Sequence, residues 1–302
     1  MSAASAAPAE QMIVSRSGTP LIYRVYGSRG PFLAACNGVG VSTVFFEPLA
    51  ERLADSYRMI LWDYPGHGRS GDPEDPRIDI ETLTDDLASV MDAAGAAQAV
   101  LIGHSLGTQV SLEFYRRWPE RVLGLVPTHG TYGRSVSSFF KLPALGVPVT
   151  LLVRRLLSGG YRALPPLIEP LAVGSILGRA ALDHVARASG LIGRDAPDLT
   201  EYFGHLVRVD LRVFASLLAA SQRHDASAQL SGIAVPTLVV GGTRDFFVPI
   251  GVARRFARAV PGAELMELDR ATHAGLFEQL GVYEARLRKF LTQRVFLGAV
   301  PA

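Results

Sequence analysis

Residues 99–102 form a short apolar run that leads into the pentapeptide Gly103-His104-Ser105-Leu106-Gly107. The run has the composition of a buried strand, and residues 106–118 have the apolar spacing of a helix. A glycine two positions before and another two positions after Ser105 allow a strand and a helix to approach closely. The pattern therefore predicts a sharp strand-to-helix turn that presents the Ser105 hydroxyl above a sheet.

Strand-like and helix-like segments alternate on both sides of this turn. The predicted strands are 11–15, 21–27, 32–36, 58–62, 99–102, 122–126, 235–241 and 264–268. The predicted helices are 43–55, 80–94, 106–118, 250–259 and 276–291. This alternation predicts an α/β fold in which a mostly parallel sheet of eight strands has helices on both faces.

The alternation stops at Pro127 and resumes at Val235. Residues 128–228 are apolar and mostly helix-like, and neither flank alone makes a complete sheet. We therefore expect one core domain, built from residues 1–127 and 229–302, with a helical cap at 128–228. Because this segment is too apolar to stay solvated, it is predicted to dock over the pocket and narrow access to Ser105.

Composition excludes several classes of protein. Hydrophobic residues make up 48% of the 302 positions, which excludes global disorder, and a net charge of +2 gives no sign of a nucleic-acid partner. The single cysteine, Cys36, excludes an internal disulfide and fits a reducing compartment. No targeting segment or membrane-spanning run is recognisable. We expect a cytoplasmic protein without an integral membrane segment, either monomer or homodimer.

A serine hydroxyl needs a base to take its proton, and the base needs an orienting acid. Asp245 and His273 follow the last two predicted strands, which places both in loops at the carboxyl edge of the sheet. His129, after the strand that follows the nucleophile helix, is a rival base, although its position favours lining a substrate cavity. Asp269 is a rival acid. The preferred catalytic set is Ser105, Asp245 and His273.

An oxyanion needs backbone N–H donors, and the candidates are Val39 and Leu106. Candidate substrate-binding residues are Asn37, Gly38, His104, His129, Tyr132 and Phe246. The Asp63–Ser70 loop is interpreted as a turn, Cys36 as a small buried residue, and Trp62 as either pocket wall or core. No Cys/His cluster has metal-ligand spacing and no phosphate loop is present, so neither a metal nor an organic cofactor is expected.

Together these motifs resemble those of α/β-hydrolase-fold enzymes. The matching stretches are 37–40, 62–70, 103–107, 242–245 with 248–249, and 272–273. The resemblance implies a nucleophile at Ser105, an acid at Asp245, a base at His273 and oxyanion donors at Val39 and Leu106. This chain departs from the family pattern at Asn37, a position at which many members carry histidine.

The residue at the nucleophile position also restricts the reaction types that the resemblance implies. Dehalogenases and epoxide hydrolases of this fold use an aspartate where this chain has Ser105. The predicted function is therefore hydrolysis of a carboxylic ester of a hydrophobic small molecule through an acyl-enzyme. Thioester hydrolysis, carbon–carbon bond hydrolysis and cofactor-free perhydrolase or haloperoxidase activity with the same triad are alternatives. A ligand-binding receptor without turnover and a protein that acts at a lipid surface are alternatives of other classes.

Overall fold

An eight-stranded sheet forms the centre of the protein in the computed structural model, which describes residues 8–134, 184, 187, 193, 205 and 208–297. The strands are β1 (Gln11–Val14), β2 (Pro20–Tyr26), β3 (Phe32–Cys36), β4 (Arg58–Trp62), β5 (Ala99–His104), β6 (Val122–Thr128), β7 (Leu238–Gly242) and β8 (Glu264–Leu268). Their spatial order is β1-β2-β4-β3-β5-β6-β7-β8. The pairs β1–β2 and β2–β4 are antiparallel and all the others are parallel. The predicted fold class is confirmed.

Helices cover both faces of the sheet. They are α1 (Glu47–Leu53), α2 (Ile80–Ala93), α3 (Gly107–Arg117), α4 (Leu211–Arg223), α5 (Ile250–Ala259), α6 (Gly275–Glu278) and α7 (Leu280–Phe290). One apolar cluster joins α2, α3, α4 and α5 to one face, and a second joins α1, α6 and α7 to the other. Strands β3 and β5 are therefore buried on both faces, which explains their continuous apolar sequence. Among the described helices, none combines the length and hydropathy that crossing a membrane requires.

Three differences from the sequence-based prediction go beyond a shift of one or two residues at the end of an element. The predicted helix 43–55 is a 3₁₀ turn, Thr43–Phe45, followed by α1, and Pro48 has no N–H with which one α-helix could continue through this point. The predicted helix 276–291 is divided into α6 and α7 at Gln279, whose side-chain amide donates to the Asp269 carbonyl at 2.6 Å. Strand β7 begins three residues later than predicted, since Pro236 has no N–H for the ladder.

Most of the predicted cap, residues 135–207 apart from four positions, lies outside the described residues. Helix α4 falls inside the predicted cap range and packs against α2 and α3. The Ser216 hydroxyl bonds both the N–H and the carbonyl of Ile78 at 3.0 Å, and the Gln109 amide donates to the Ser221 carbonyl at 2.9 Å. The last part of the range predicted as cap is therefore seated on the core.

The carboxyl ends of the parallel strands lie along one edge of the sheet. Strand β5 stands between β3 and β6, and β7 and β8 follow on the same side. In open α/β sheets the loops at this edge form the ligand-binding crevice. The loops that begin after these five strands carry every residue that the sequence selected for chemistry, apart from His104, which is the last residue of β5.

Candidate active site

Ser105 occupies the turn between β5 and α3 with a positive φ of 53°. This left-handed conformation costs a non-glycine residue about 1–2 kcal/mol, so neighbouring contacts must hold it. The Ser105 N–H donates to the Thr128 carbonyl at 3.0 Å, and the Ser105 carbonyl accepts from the Thr108 N–H at 3.1 Å. The turn therefore fixes the backbone of a half-buried serine at the edge of the sheet.

The two glycines that flank Ser105 are required by close backbone packing. A Cβ on Gly103 would lie 2.5 Å from the Gly107 carbonyl oxygen, and one on Gly107 would lie 2.0 Å from that of Cys36. Both distances are far below a normal contact. The strand and the helix consequently meet at a separation that any side chain would increase.

The loop after β3 lies directly against the nucleophile. A Cβ on Gly38 would be 3.1 Å from the Ser105 Cβ and 3.0 Å from His104 Nδ1. Asn37, next to it, is buried, and its side-chain amide donates to the Trp62 carbonyl at 2.8 Å. Asn37 thus anchors the loop in which Gly38 lies against Ser105 and Val39 follows in sequence.

His67 holds the same loop from the far side, a role that the sequence did not reveal. The Gly40 N–H donates to His67 Nε2 at 3.1 Å, so the ring proton resides on Nδ1, which donates to the Pro65 carbonyl at 2.9 Å. Burial lowers the pKa of His67 to about 4, and the bond to Pro65 partly opposes this effect. Because of the low pKa, Nε2 remains available as an acceptor. The only signal in the sequence was a histidine within the predicted turn.

Asp63 links three segments near this loop. Its Oδ1 accepts from the Thr43 N–H at 2.8 Å and its Oδ2 accepts from the Arg69 N–H at 3.0 Å. Burial raises its pKa to about 6 despite these two bonds. Gly68, with φ of 53°, leaves room for the carboxylate, because a Cβ there would be 2.3 Å from Oδ2. These contacts fit the interpretation of the 63–70 loop as a structural turn.

Asp245, in the loop after β7, is a fully buried carboxylate with four donors. Its Oδ1 accepts from the N–H groups of Phe247 and Val248 at 2.9 and 2.8 Å. Its Oδ2 accepts from Nδ1 of His273 at 2.9 Å and from Nδ1 of His129 at 3.0 Å. Burial alone would raise the pKa of Asp245, but the two imidazoles hold it well below its usual range. Asp245 is therefore ionised at neutral pH.

The two histidines on Asp245 differ in exposure. The His273 side chain is 18% exposed, whereas the His129 side chain is 0% exposed. His129 was expected to line a substrate cavity, but its ring is enclosed between Asp245 and Gly275. A Cβ on Gly275 would lie 2.6 Å from His129 Nε2.

His104, the residue before the nucleophile, supports His273 rather than facing solvent. Its Nε2–H donates to the His273 carbonyl at 3.0 Å, and its ring centroid lies 5.0 Å from that of His273. Burial, then the neighbouring His273 and His129, hold the pKa of His104 well below its usual range. His104 is therefore a neutral donor that fixes the loop carrying His273.

Aromatic rings surround these groups. The Phe45 centroid lies 4.3 Å from that of His104 and 6.0 Å from that of Phe277, and the Phe247 ring lies 5.2 Å from His273. None of the three phenylalanines was predicted at the site, because each is in an apolar stretch that reads equally well as core. They give the site apolar walls.

The remaining candidates take different places. Phe246 is 39% exposed on the loop that carries Asp245, where it can meet a substrate. Tyr132 packs edge-on against Phe256 of α5 at 5.2 Å, and Trp62 is fully buried. Tyr132 and Trp62 therefore serve the core, and only Phe246 is placed at the surface.

Among the described residues, His129, Asp245 and His273 form a group with metal-ligand chemistry, their donor atoms lying within 4.8 Å of one another. The two N···O separations, 2.9 and 3.0 Å, are those of N–H···O hydrogen bonds. A metal ion would need both Nδ1 atoms deprotonated and would replace both bonds. The arrangement is that of an acid with two imidazole donors.

Known proteins are similar to this chain in sequence and in fold. A family model described as the alpha/beta hydrolase family matches residues 33–285. The chain is 28% identical over 254 residues to "Putative carbamate hydrolase RutD" of Azorhizobium caulinodans, covering 84% of this chain and 88% of the relative. It is 29% identical over 258 residues to 2-hydroxy-6-oxononadienedioate/2-hydroxy-6-oxononatrienedioate hydrolase 2 of Pseudomonas putida, covering 81% of this chain and 79% of the relative.

A solved enzyme structure is also similar to this chain. The enol-lactonase of Burkholderia xenovorans superposes with a TM-score of 0.72 at 25% identity, over 93% of this chain and 100% of that one. The match of one family model to most of the sequence agrees with the sheet order and the strand-to-helix turn at Ser105. The chain belongs to the alpha/beta hydrolase family of enzymes.

Proposed function

We propose that the protein is a serine hydrolase that cleaves a carboxylic ester of a hydrophobic small molecule. The observation that carries this proposal is the 2.9 Å bond between Asp245 Oδ2 and His273 Nδ1. The His273 loop is in turn bonded to His104, the residue that precedes Ser105 at the strained strand-to-helix turn. A serine, a partly exposed imidazole and a buried carboxylate in this chain order are the components of nucleophilic acyl transfer.

His273 is the base in this proposal. Its Nδ1–H is fixed by Asp245, which leaves Nε2 free of a proton and able to accept the one from Ser105. His129 shares the same carboxylate, but its Nε2 faces Gly275 and its side chain is fully buried. An imidazole that must exchange a proton with a substrate has to reach the open side of the site.

The reaction proceeds in two steps. Ser105 Oγ attacks the carbonyl carbon while His273 takes its proton, and the leaving alcohol departs with that proton as the acyl-enzyme forms. Water, activated by His273, then attacks the acyl carbon and releases the acid. The N–H groups of Val39 and Leu106 stabilise the oxyanion in both steps. Leu106 directly precedes α3, where the first N–H groups have no acceptor within the helix.

The apolar walls support a hydrophobic substrate. Phe45 packs against the His104 ring and against Phe277, and Phe247 packs against the His273 ring. Phe246 is exposed on the loop that carries Asp245. A lactone is an internal ester, so the similarity to an enol-lactonase also fits attack on an ester carbonyl. The predicted cap over residues 128–228 would set the size of the acyl group.

Labelling with a fluorophosphonate probe tests the reaction type. The probe should attach to the peptide that contains Ser105, as located by mass spectrometry, and the protein should hydrolyse p-nitrophenyl esters. A panel of rising acyl length, run beside matched thioesters, defines the preferred bond. Absence of labelling at Ser105 together with absence of turnover on both series would contradict the proposal.

A further inference from the structure

The imidazole of His129, the second donor to Asp245, takes no part in the reaction proposed above. In the sequence His129 stands 116 positions before Asp245, yet its Nδ1 lies 3.0 Å from Oδ2, within 0.1 Å of the distance that His273 makes to the same atom. One carboxylate oxygen therefore receives two imidazole donors. Since a carboxylate only accepts, both histidines must carry their proton on Nδ1.

The rest of the His129 ring is enclosed. Its Nε2 is buried without a hydrogen-bond partner among the described residues, and Gly275 packs directly against it. Within the part of the chain that the structure describes, the bond from Nδ1 to Asp245 is therefore the hydrogen bond that the His129 ring makes.

Backbone geometry also holds His129 in place. Its φ is 48°, in the left-handed region, and its N–H donates to the Val240 carbonyl of β7 at 2.9 Å. The same residue therefore contacts the strand that leads to Asp245 and, through Gly275, the segment that follows His273. It joins the two loops that carry the acid and the base.

We propose that His129 is a positioning residue that fixes the Asp245 carboxylate, so that Oδ2 stays directed at His273 throughout the proposed acyl transfer. Two backbone N–H groups anchor Oδ1, and without a second donor Oδ2 is held by His273 alone. During turnover Nε2 of His273 takes up and returns a proton, so the charge of that ring, and with it the strength of its Nδ1–H bond to Oδ2, changes. The His129 donor takes no part in that transfer and supplies a fixed point for Oδ2. This inference rests on the serine hydrolase function proposed above.

A matched pair of variants separates the donor from the backbone. In His129→Asn the side-chain amide nitrogen occupies the position of Nδ1, and in His129→Gly no donor remains. Both asparagine and glycine tolerate a positive φ, so neither adds backbone strain. We expect the asparagine variant to keep kcat within about 5-fold of the parent, and the glycine variant to lose about 10- to 100-fold with KM almost unchanged.

The opposite kinetic results overturn the inference. A glycine variant with the kcat of the parent, or an asparagine variant that falls as far as the glycine variant, excludes a donor role for His129. If the glycine variant does not fold, Gly275→Ala provides the second test, because its Cβ would push the His129 ring from Asp245. That variant should also lose kcat, and an unchanged kcat contradicts the inference.

An NMR measurement tests the hydrogen bond from His129 to Asp245 without an activity assay. Long-range nitrogen–proton NMR correlations in the parent, with ¹⁵N-labelled histidine, report which ring nitrogen of His129 carries the proton. The Nδ1–H form supports the inference, whereas the Nε2–H form excludes donation to Asp245. If the parent cleaves no ester and takes no probe, the proposed function fails, while this measurement still reports on the contact between His129 and Asp245.

Discussion

The backbone N–H of Gly40 donates to Nε2 of His67 across 3.1 Å, and this bond ties the loop over Ser105 to the turn after β4. The bond exists only while His67 is neutral, because a protonated Nε2 is itself a donor. Burial, which lowers the pKa of His67 to about 4, preserves this state at neutral pH. The shape of the loop that approaches the nucleophile therefore depends on the charge of His67.

Replacing His67 should change how stability depends on pH. The pKa of about 4 in the folded state lies below the value near 6.5 of an unfolded histidine. Between these values the unfolded chain binds more protons, so the contribution is complete above pH 6.5 and is lost as pH falls through 4. By pH 4.5 the parent should lose roughly 2–3 kcal/mol more unfolding free energy than His67→Gln, measured by urea denaturation.

The glutamine variant is the matched control because its side-chain oxygen can accept the Gly40 N–H and does not titrate. It should be less stable than the parent at pH 7.5, where the bond to Pro65 is lost, but its stability should fall less at low pH. Parallel pH profiles for the two proteins would show that His67 is not the titrating group.

Ser105→Ala should abolish turnover and leave the fold unchanged. Removal of the nucleophile leaves only residual catalysis from the oxyanion donors, so kcat on the best ester should fall by about 10³-fold or more. Circular dichroism checks the fold. Ser111→Ala, which removes a buried hydroxyl within α3, is the control and should retain activity. Near-parent rates in the Ser105 variant would refute the assignment.

Gly107→Ala should destabilise the protein through a steric clash between backbone segments. The new Cβ would lie 2.0 Å from the Cys36 carbonyl oxygen, where nothing flexible can move aside. We expect a loss of about 3 kcal/mol in unfolding free energy. Gly95→Ala is the comparison: with φ of 72° and open space around it, only the left-handed penalty of about 1 kcal/mol applies. Equal losses would contradict the packing argument.

The thiol of Cys36 should be inert in the folded protein. It is fully buried at the end of β3, and burial raises its pKa to about 12, with a smaller opposing effect from Ser111. The thiolate is the reactive form. Ellman's reagent at pH 8 should therefore titrate no thiol in the native state and one per chain in urea. Rapid stoichiometric reaction of the native protein would disprove burial of this group.

The sequence by itself determined the sheet and the order of the catalytic candidates. Apolar runs followed by helical spacing predict parallel strands, and this pattern placed Ser105, Asp245 and His273 after three strands whose carboxyl ends share one edge. These are local signals, since each depends on residues within a few positions of one another. The glycines at 103 and 107 are of the same kind, because they specify one tight turn.

Only the tertiary structure decided how the loops at that edge contact one another. His129 and Asp245 are 116 positions apart, and His67 lies 27 positions from Gly40, so no periodicity or motif joins them. The lengths and angles of several intervening elements set those distances. The division of the last predicted helix is also a tertiary feature: the backbone leaves helical geometry at Gln279, whose side-chain amide donates to the carbonyl of Asp269 ten positions earlier. Sequence specifies which groups are present at the edge, and packing of the elements beneath it determines which of them share a hydrogen bond.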